Sequence, residues 1–315
     1  MRSLAGRKRS CSERGLAGRR SPDQSLTQCK EGKGMPKRDS TARGRELGTG
    51  IRSAVEATGL SARVIAEMLD WHESKLSNVI NGRGGATLLE VALLLGLCRV
   101  SPAEQRHLLS LYPVIDQKGW WQEHGRCSPI LPRTAIENLK IAKVLVGWQT
   151  HMVPLLLQTV DYMSAVLSAS PTVPTDELQD RVQAQLAMQD ELWRNRVECT
   201  FYLHESALHL KVGGAEVHAG QLFHLLLMAS WSNIDVRVVP TALGAHAGLS
   251  GPFTSLTFEN YAPLVWVETD NSSLFVEGKE AIAGYDSIIG LLDETSLDAT
   301  ESKALLARLH EELEA

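Results

Sequence analysis

The segment at residues 60–82 constrains the fold of this chain more than any other stretch. Its apolar residues recur at helical spacing in two short runs, and a break at Asp70 separates the two. In the second run, Leu76, Val79 and Ile80 fall on one face of a helix. The spacing therefore predicts two short helices that meet at a tight turn.

The outward face of the second predicted helix carries side chains that form hydrogen bonds. A DNA major groove admits one helix, and side chains of this kind can reach base edges there. We therefore expect five base-contact candidates, Glu73, Ser74, Lys75, Ser77 and Asn78. Lys75 is the only cation among them and the strongest single candidate. Each residue also has a simpler interpretation as solvated surface, and Glu73 can complement the helix dipole.

Three residues that flank this face are candidates for contacts with DNA phosphates. Arg63 and Arg83 lie on either side of the second predicted helix, where an arginine can clamp the DNA backbone. Ser61 is first predicted to cap the first helix, with a phosphate contact as a second role. The sequence thus predicts base contacts from one helix and phosphate contacts from its flanks.

A set of residues at fixed spacing extends this argument to a known family. The set is Leu60, Ser61, Ile65, Ala66, Leu69, Trp71, Ser74, Leu76, Ser77, Val79, Asn81 and Gly82. With these residues the segment resembles the helix-turn-helix of the Xre type, the family of the phage repressors. The sequence departs from that pattern at Asp70, where the family has a turn glycine, and at Ala62, where it has a phosphate-contacting glutamine. Ile80 stands where the family has an acidic residue. The resemblance implies a five-helix DNA-binding domain, which we expect at residues 45–112.

Local signals place the other helices of this domain. An apolar stripe predicts a first helix at residues 45–58. Thr87 and Glu90 form a predicted capping box at the start of a fourth helix, and Ser101 opens a fifth. The fourth helix is apolar on too many sides to face only its own domain, so we expect part of it to contact a partner or the next domain.

Charge is distributed unevenly along the chain, although the net formal charge is only −5. Residues 1–44 carry 12 Lys and Arg against 4 Asp and Glu, whereas residues 84–315 carry 15 against 28. Residues 45–83 are balanced at 5 against 5. DNA-binding domains normally place Lys and Arg side chains against DNA phosphates. The absence of net positive charge in residues 45–83 therefore argues mildly against tight DNA binding by an isolated monomer.

The first 44 residues are rich in Arg, Ser, Gly and Lys and contain few large apolar residues. Such a composition does not offset the entropy cost of ordering, so we expect residues 1–44 to be a disordered basic tail. Met35 is a possible true start, which would remove most of this tail. The interpretation of the tail as a basic arm along DNA also stays open.

A connector at residues 113–132 separates the two predicted domains. Trp120 and Trp121 in this connector are weak candidates for binding an effector or a partner. Paired tryptophans more often seat a linker against a domain, and we favour that interpretation.

Residues 133–315 combine two kinds of periodicity and predict an α+β domain. The predicted elements are helices at residues 133–149, 154–168, 176–196, 215–231, 278–294 and 299–313, and strands at residues 197–203, 234–238, 253–258, 263–269 and 273–277. From this order we expect helices that flank a small, mainly antiparallel sheet.

Several short motifs in the second half also match a known pattern. They are Gly119, Trp120 and Trp121, the stretch VPLLLQTVDYMSAVL at residues 153–167, Glu205 to Leu208, Gln221, Leu222, and Gly251 to Phe253. With them this region resembles the C-terminal domain of unknown function found behind Xre-type modules in actinobacterial regulators of the WhiJ-like group. The resemblance implies a regulator of development or specialised metabolism, often with a small partner protein encoded nearby.

The sequence departs from this second pattern at two places. Leu155 stands where the motif has glycine, and the predicted helix at residues 181–189 lacks the arginines usual there. If those arginines face a partner or a ligand in the family, this chain is expected to bind a different one.

Motifs for catalysis, cofactors and metals are incomplete in this sequence. His204 and His209 approximate a zinc-protease pair, but a separation of five residues puts the two imidazoles on different helix faces. The stretch at residues 248–251 lacks the last glycine of a nucleophile elbow. We therefore expect no enzyme activity, no cofactor and no metal site.

Compartment signals point to the cytoplasm. No apolar run approaches the ~20 residues needed to cross a bilayer. The five cysteines are scattered and include no CxxC pair, which favours a reducing environment. We expect a cytoplasmic protein that does not bind membranes.

These observations favour a sequence-specific transcription regulator that binds double-stranded DNA as a homodimer. In this hypothesis the C-terminal domain supplies dimerisation and binds an effector or a partner protein. The alternative is a protein-interaction module, antitoxin-like or scaffold-like, with weak DNA binding. The neutral helix-turn-helix and the acidic second half favour this alternative.

Overall fold

Helices form the N-terminal part of the fold, as the sequence predicted. The computed structural model describes residues 40–115, 119–125, 127 and 132–314, so the expectations for the tail up to residue 39 lie outside the described residues. The N-terminal helices are α1 (Ala42–Ala57), α2 (Ala62–Met68), α3 (Glu73–Ile80), α4 (Leu88–Leu97) and α5 (Pro102–Leu111). They share one core, in which Ile51, Leu76, Leu94 and Leu108 are fully buried. The first helix begins at Ala42, three residues before the predicted start, and residues 40–44 are buried. The prediction that the disordered tail extends to residue 44 is therefore wrong for its last five residues.

Side-chain caps fix the starts of these helices. Thr87 accepts a hydrogen bond from the backbone N–H of Glu90, and the Glu90 carboxylate accepts one from the backbone N–H of Thr87. The predicted capping box is therefore confirmed. Ser61 likewise accepts from the backbone N–H of Val64 at the start of α2. Each such cap contributes roughly 1 kcal/mol.

The turn between α2 and α3 holds a residue in the left-handed region. Asp70 has a φ of 54°, the conformation that a glycine adopts without strain. The backbone N–H of Trp71 donates to the Ala66 carbonyl at 2.8 Å and closes the turn. Aspartate tolerates this region better than most residues, so the helix-turn-helix forms despite the missing glycine.

The end of α3 packs backbone to backbone on α1. Gly82 has a φ of +65°, and a Cβ atom added there would lie 2.1 Å from the carbonyl oxygen of Gly44. A side chain at position 82 would strain the backbone and would collide with Gly44, so only glycine fits there. This contact fixes the position of α3 against the first helix.

A seven-stranded sheet forms the centre of the C-terminal region. Its strands are β1 (Trp120–Glu123), β2 (Val144–Gln149), β3 (Glu198–His204), β4 (Ile234–Val239), β5 (Phe253–Thr257), β6 (Leu264–Thr269) and β7 (Ser272–Val276). The spatial order is β1-β7-β6-β5-β2-β3-β4. β3 pairs in parallel with both β2 and β4, whereas the other neighbours are antiparallel.

The expectation of a small sheet is therefore wrong, and the sheet is mixed, although four of its six strand pairs are antiparallel as expected. The predicted helix at residues 133–149 ends at Lys140, and β2 follows it near the middle of a mixed sheet. Both faces of β2 are covered, so its residues form a nearly continuous apolar run without alternation. Such a run does not distinguish a buried strand from a helix. The predicted connector adds a further strand, β1, at one edge of the sheet.

Helices cover both faces of this sheet. They are α6 (Arg133–Lys140), α7 (Val160–Ala169), α8 (Leu178–Arg194), the short α9 (Ser206–His209), α10 (Ala215–Met228), α11 (Lys279–Thr295) and α12 (Ala299–Glu314). On one face, Leu145, Phe201 and Trp266 belong to a large core that includes residues of α6, α8, α10 and α12. On the other face, Trp148 packs in a smaller core with residues of α11. Among the residues described, no helix is long and apolar enough to cross a membrane.

Candidate nucleic-acid interface

The outer face of α3 is open to solvent, as entry into a DNA groove requires. Glu73, Ser74 and Ser77 are exposed, whereas Lys75 and Asn78 are half-buried. All five predicted base-contact residues lie on this one helix, which starts at Glu73. Ser77 and Asn78 follow Ser74 by three and four residues. Because an α-helix has about 3.6 residues per turn, the three side chains lie on the same face. This face presents hydroxyl and amide groups.

Lys75 is held within the N-terminal domain. Its Nζ lies 2.5 Å from Oε1 of Glu90 and 4.6 Å from the centre of the Trp71 ring. Burial raises the pKa of Glu90, but hydrogen bonds from Lys75 and Thr87 outweigh burial and hold it below its usual value. The single cation of α3 is therefore neutralised by α4. Its Nζ can pair with another anion only when this ion pair separates.

The predicted phosphate contacts on α2 are exposed, but Arg63 is already paired. Its Nε lies 3.0 Å from Oε1 of Glu67 and 3.8 Å from Oε1 of Glu73. All three of these side chains are largely exposed, so the pairs are weak and exchangeable. Ser61 is exposed and caps α2. Its hydroxyl therefore already has the structural role that the sequence assigned first.

Arg83 lies at a crevice beside the end of α3, together with cations that the sequence did not single out. The crevice has a volume of about 490 Å³, and its lining includes Arg52, Arg83 and Lys143. Arg52 donates to the side-chain oxygen of Asn81 at 3.0 Å. Lys143 comes from the C-terminal region, far away in sequence, so no local pattern indicated this grouping. Glu259 also lines the crevice, and its Oε2 lies 3.9 Å from Lys143 Nζ. Arg52 and Arg83 therefore offer positive charge beside a helix whose single lysine is already paired.

Trp120 and Trp121 lie on opposite faces of β1. Trp120 stacks on Phe275 with ring centroids 5.8 Å apart, and the Arg43 guanidinium lies 3.5 Å from its ring centre. Trp121 is 65% exposed. Trp120 thus joins α1 to the sheet, and Trp121 remains open.

A buried polar contact joins α1 to the C-terminal region. The Nε of Arg45 donates to the side-chain oxygen of Asn138 on α6, and its Nη2 lies 3.7 Å from Oε1 of Glu277. The same glutamate oxygen accepts from the backbone N–H of Ala42 at 2.7 Å. Burial lowers the pKa of Arg45 to about 10, against the opposing effect of Glu277. The start of α1 is therefore fixed to two separate elements that follow it in the chain.

A second group of contacts holds α6 against the N-terminal domain. The buried carboxylate of Glu46 accepts from Thr134 at 2.5 Å and lies 2.7 Å from Nε2 of His107. Arg133 forms a two-point ion pair with Glu104, at 2.7 and 2.6 Å. The hydrogen bond from Arg133 lowers the pKa of Glu104. These contacts orient the helix-turn-helix domain relative to the sheet.

Comparison with known families identifies both halves of the chain. A family model described as a helix-turn-helix domain matches residues 46–108. A model described as a domain of unknown function, DUF5753, matches residues 136–308, which is more than half of the chain. No curated protein and no solved structure matches the chain.

Proposed function

The chain belongs to the DUF5753 family and carries a helix-turn-helix domain at its N-terminal end, and from this premise we propose that it is a sequence-specific transcription regulator. The helix-turn-helix domain indicates DNA binding. In this proposal α3 enters the major groove, and its hydroxyl and amide side chains read base edges. The protein acts by binding in the cytoplasm and catalyses no reaction.

One observation carries the proposal most directly. The polar residues Ser74 and Ser77 on α3 remain exposed, although the domain is otherwise fixed to the C-terminal region. Solvent-facing helices generally carry polar groups, and the helix-turn-helix match over residues 46–108 is what directs this face toward DNA. Exposed hydrogen-bonding side chains at helical spacing are the chemistry of direct readout.

Electrostatic attraction alone does not supply tight binding here. Arg63 and Lys75 are both paired with carboxylates, so few cations are free to displace counterions from DNA. We therefore propose that the crevice around Arg52 and Arg83 contacts phosphates. Two copies binding together would raise the affinity further.

Exposed apolar residues support association with a second protein. On α4, Leu89 and Leu93 are 69% and 57% exposed and lie one helical turn apart. On α10, Phe223 and Leu227 form another open pair with the same spacing, and the exposed Trp231 follows three residues after the helix ends. Contiguous apolar surface of this kind marks interaction sites. We propose that one pair serves homodimerisation, and that the other binds a small partner protein of the kind associated with the WhiJ-like group.

Binding of the full chain to DNA from upstream of its own gene tests the regulator proposal. A gel shift should show complexes that depend on sequence and weaken as salt rises. Asn78→Ala should cost about 1–3 kcal/mol of binding free energy on the preferred sequence. Ser110→Ala, an exposed change on α5, is the matched control and should have no effect. If no sequence-dependent complex forms, with or without the neighbouring partner protein, the proposal is wrong.

An alternative function, a protein-interaction module, can be tested against the regulator proposal. The paired state of Lys75 and the neutral charge of the helix-turn-helix favour a protein-interaction module that binds DNA weakly. Ser77→Ala combined with Asn78→Ala separates the two proposals, because both side chains belong to the face proposed to read bases. A regulator loses its cellular phenotype with this change, whereas an interaction module keeps it.

A further inference from the structure

A cavity of about 300 Å³ lies between the sheet and the helices of the C-terminal region. Its floor is formed by β2, β3, β5 and β6, and its walls come from α6, α7 and α8 and from the segment before α7. This volume falls at the lower end of the range for small-molecule sites, about 300–1,000 Å³. The cavity is open, so a ligand can enter from solvent.

A glycine in β2 makes room for this cavity. Gly147 lies on β2 between Phe201 and Thr254 of the neighbouring strands. A Cβ atom at position 147 would lie 3.0 Å from the Phe201 ring. A side chain there would occupy the floor of the cavity. The walls are mainly apolar, with Met152, Leu155 and Met188 among them.

Three polar groups in the lining have no partner among the described residues. The indole Nε1 of Trp266 and the amide oxygen of Gln185 are buried without a hydrogen bond. Trp266 is only 9% exposed overall. Glu268 lies two residues after Trp266 on the same face of β6, and its carboxyl makes no hydrogen bond or ion pair with a described residue. Buried polar groups normally have partners, so Trp266 Nε1 and Gln185 Oε1 each mark a position where a ligand can bind. The Glu268 side chain is exposed, and it adds a carboxylate to the same lining.

The charge of the lining selects among possible ligands. Glu268 and Asp270 are both acidic, and the described lining contains no Lys, Arg or His. Protein surrounds the Glu268 carboxyl, and this burial raises its pKa to about 7. The open space of the cavity nevertheless keeps the side chain accessible. An anionic ligand would be repelled here, whereas a cation would supply the missing partner.

We propose that this cavity binds a small hydrophobic amine, with the protonated amine paired to Glu268 and a hydrogen-bond acceptor of the ligand placed at Trp266 Nε1. An ammonium group has three N–H donors, so the oxygen of Gln185 can share it. The apolar walls take the hydrocarbon part of the ligand. This inference rests on the effector-binding role within the proposed function, and it names the site and the class of effector.

Titration calorimetry of the full chain with matched probes tests this proposal. The probes are 4-phenylbutylamine, the neutral 4-phenylbutan-1-ol and the anionic 4-phenylbutyrate. We expect the amine to bind at least about tenfold more tightly than the alcohol, with the carboxylate weakest. Glu268→Gln should reduce the affinity for the amine to that for the alcohol. Glu198→Gln, an exposed change on β3 outside the cavity, should change neither affinity.

Two further measurements assign the binding to this cavity. Val166→Phe fills part of the wall from α7 and should abolish binding of both the amine and the alcohol. The probe 3-phenoxypropylamine places an ether oxygen where 4-phenylbutylamine has a methylene. It should bind the wild type more tightly than its methylene counterpart, and Trp266→Phe should remove that gain.

The outcomes separate this inference from the proposed function. Absence of amine binding, equal binding of amine and alcohol, or amine binding that survives Glu268→Gln would each overturn it. A gel shift on the same preparation reports DNA binding independently. Protein that binds DNA but not the amine contradicts the cavity assignment alone, whereas protein that binds the amine but not DNA contradicts the regulator alone.

Discussion

The side-chain oxygen of Asn138 accepts a hydrogen bond from Nε of Arg45 across the boundary between the N-terminal helices and the C-terminal region. Both residues are buried. The next residue on α6, Leu139, lines the cavity above the sheet. One short helix therefore contacts both the helix-turn-helix domain and the cavity. We therefore predict that a ligand that displaces α6 shifts α1 as well, because a buried hydrogen bond joins the two helices.

Replacing Asn138 tests how strongly this boundary is held. Asn138→Ala leaves the Nε of a buried arginine without its acceptor, so we expect a loss of about 2–4 kcal/mol in the free energy of unfolding. Urea unfolding of the full chain measures it. Lys140→Ala lies on the same helix but is exposed, and it should stay within about 0.5 kcal/mol of the wild type. Equal stability of the two variants would show that the contact contributes little.

Releasing Lys75 should strengthen DNA binding. Glu90→Gln removes the carboxylate that neutralises Lys75, yet a glutamine still completes the capping box with Thr87. We expect tighter binding, with the slope of log K against log salt steeper by about 1. Fluorescence anisotropy with labelled duplex at several salt concentrations measures both quantities.

The matching change on the lysine provides the control for this prediction. Lys75→Ala should weaken DNA binding. In the Lys75→Ala background, Glu90→Gln has no lysine to release and should not increase the affinity for DNA. If Glu90→Gln strengthens binding equally in both backgrounds, its effect does not act through Lys75.

A glycine at position 70 should stabilise the N-terminal domain. Asp70 has a φ of 54°, where a side chain costs conformational energy that glycine avoids. We expect Asp70→Gly to raise the free energy of unfolding by about 0.5–1 kcal/mol. Thermal unfolding measures it, and Asp180→Gly within the helix α8 is a control that should be destabilising. A loss of stability in Asp70→Gly would mean that the aspartate side chain has a stabilising role of its own.

The stability of the chain should depend on pH through Glu268. Its pKa is raised to about 7 in the folded state, above the value of about 4.3 for an unperturbed glutamate. The folded state therefore binds this proton more tightly, and the contribution of Glu268 to stability falls as pH rises from about 4.3 to about 7. Glu268→Gln should be more stable than the wild type near pH 8, and the difference should shrink toward about pH 4. A difference that is constant with pH would contradict the raised pKa.

The local features of the N-terminal domain could be predicted from the sequence. The apolar spacing in α3 and the capping box at Thr87 depend on residues within a few positions of each other, and both formed as expected. The pairing of Lys75 with Glu90 was not apparent, because both residues already had a local explanation. Neither the crevice at Arg83 nor the contact between Arg45 and Asn138 has a local signal.

The sheet could be predicted only in part, because its strands meet through non-local pairing. The alternating strands β3 and β4 were predicted, and both lie at one side of the sheet. β2 was hidden within a predicted helix because it is apolar on both faces. The cavity depends on Gly147 in that strand and on Glu268 in another. Leu155, where the sequence departs from the WhiJ-like motif, also lines this cavity.

Selection of bound sites from a library of random duplexes, using the full chain, tests the central claim most directly. The account predicts enrichment of one motif, with two half-sites about 10–10.5 base pairs apart if the protein binds as a dimer. A parallel selection with Ser77→Ala and Asn78→Ala combined should lose or change that motif. Failure to enrich any sequence, at salt low enough for DNA to be retained, would contradict the assignment of α3 as a reader of DNA.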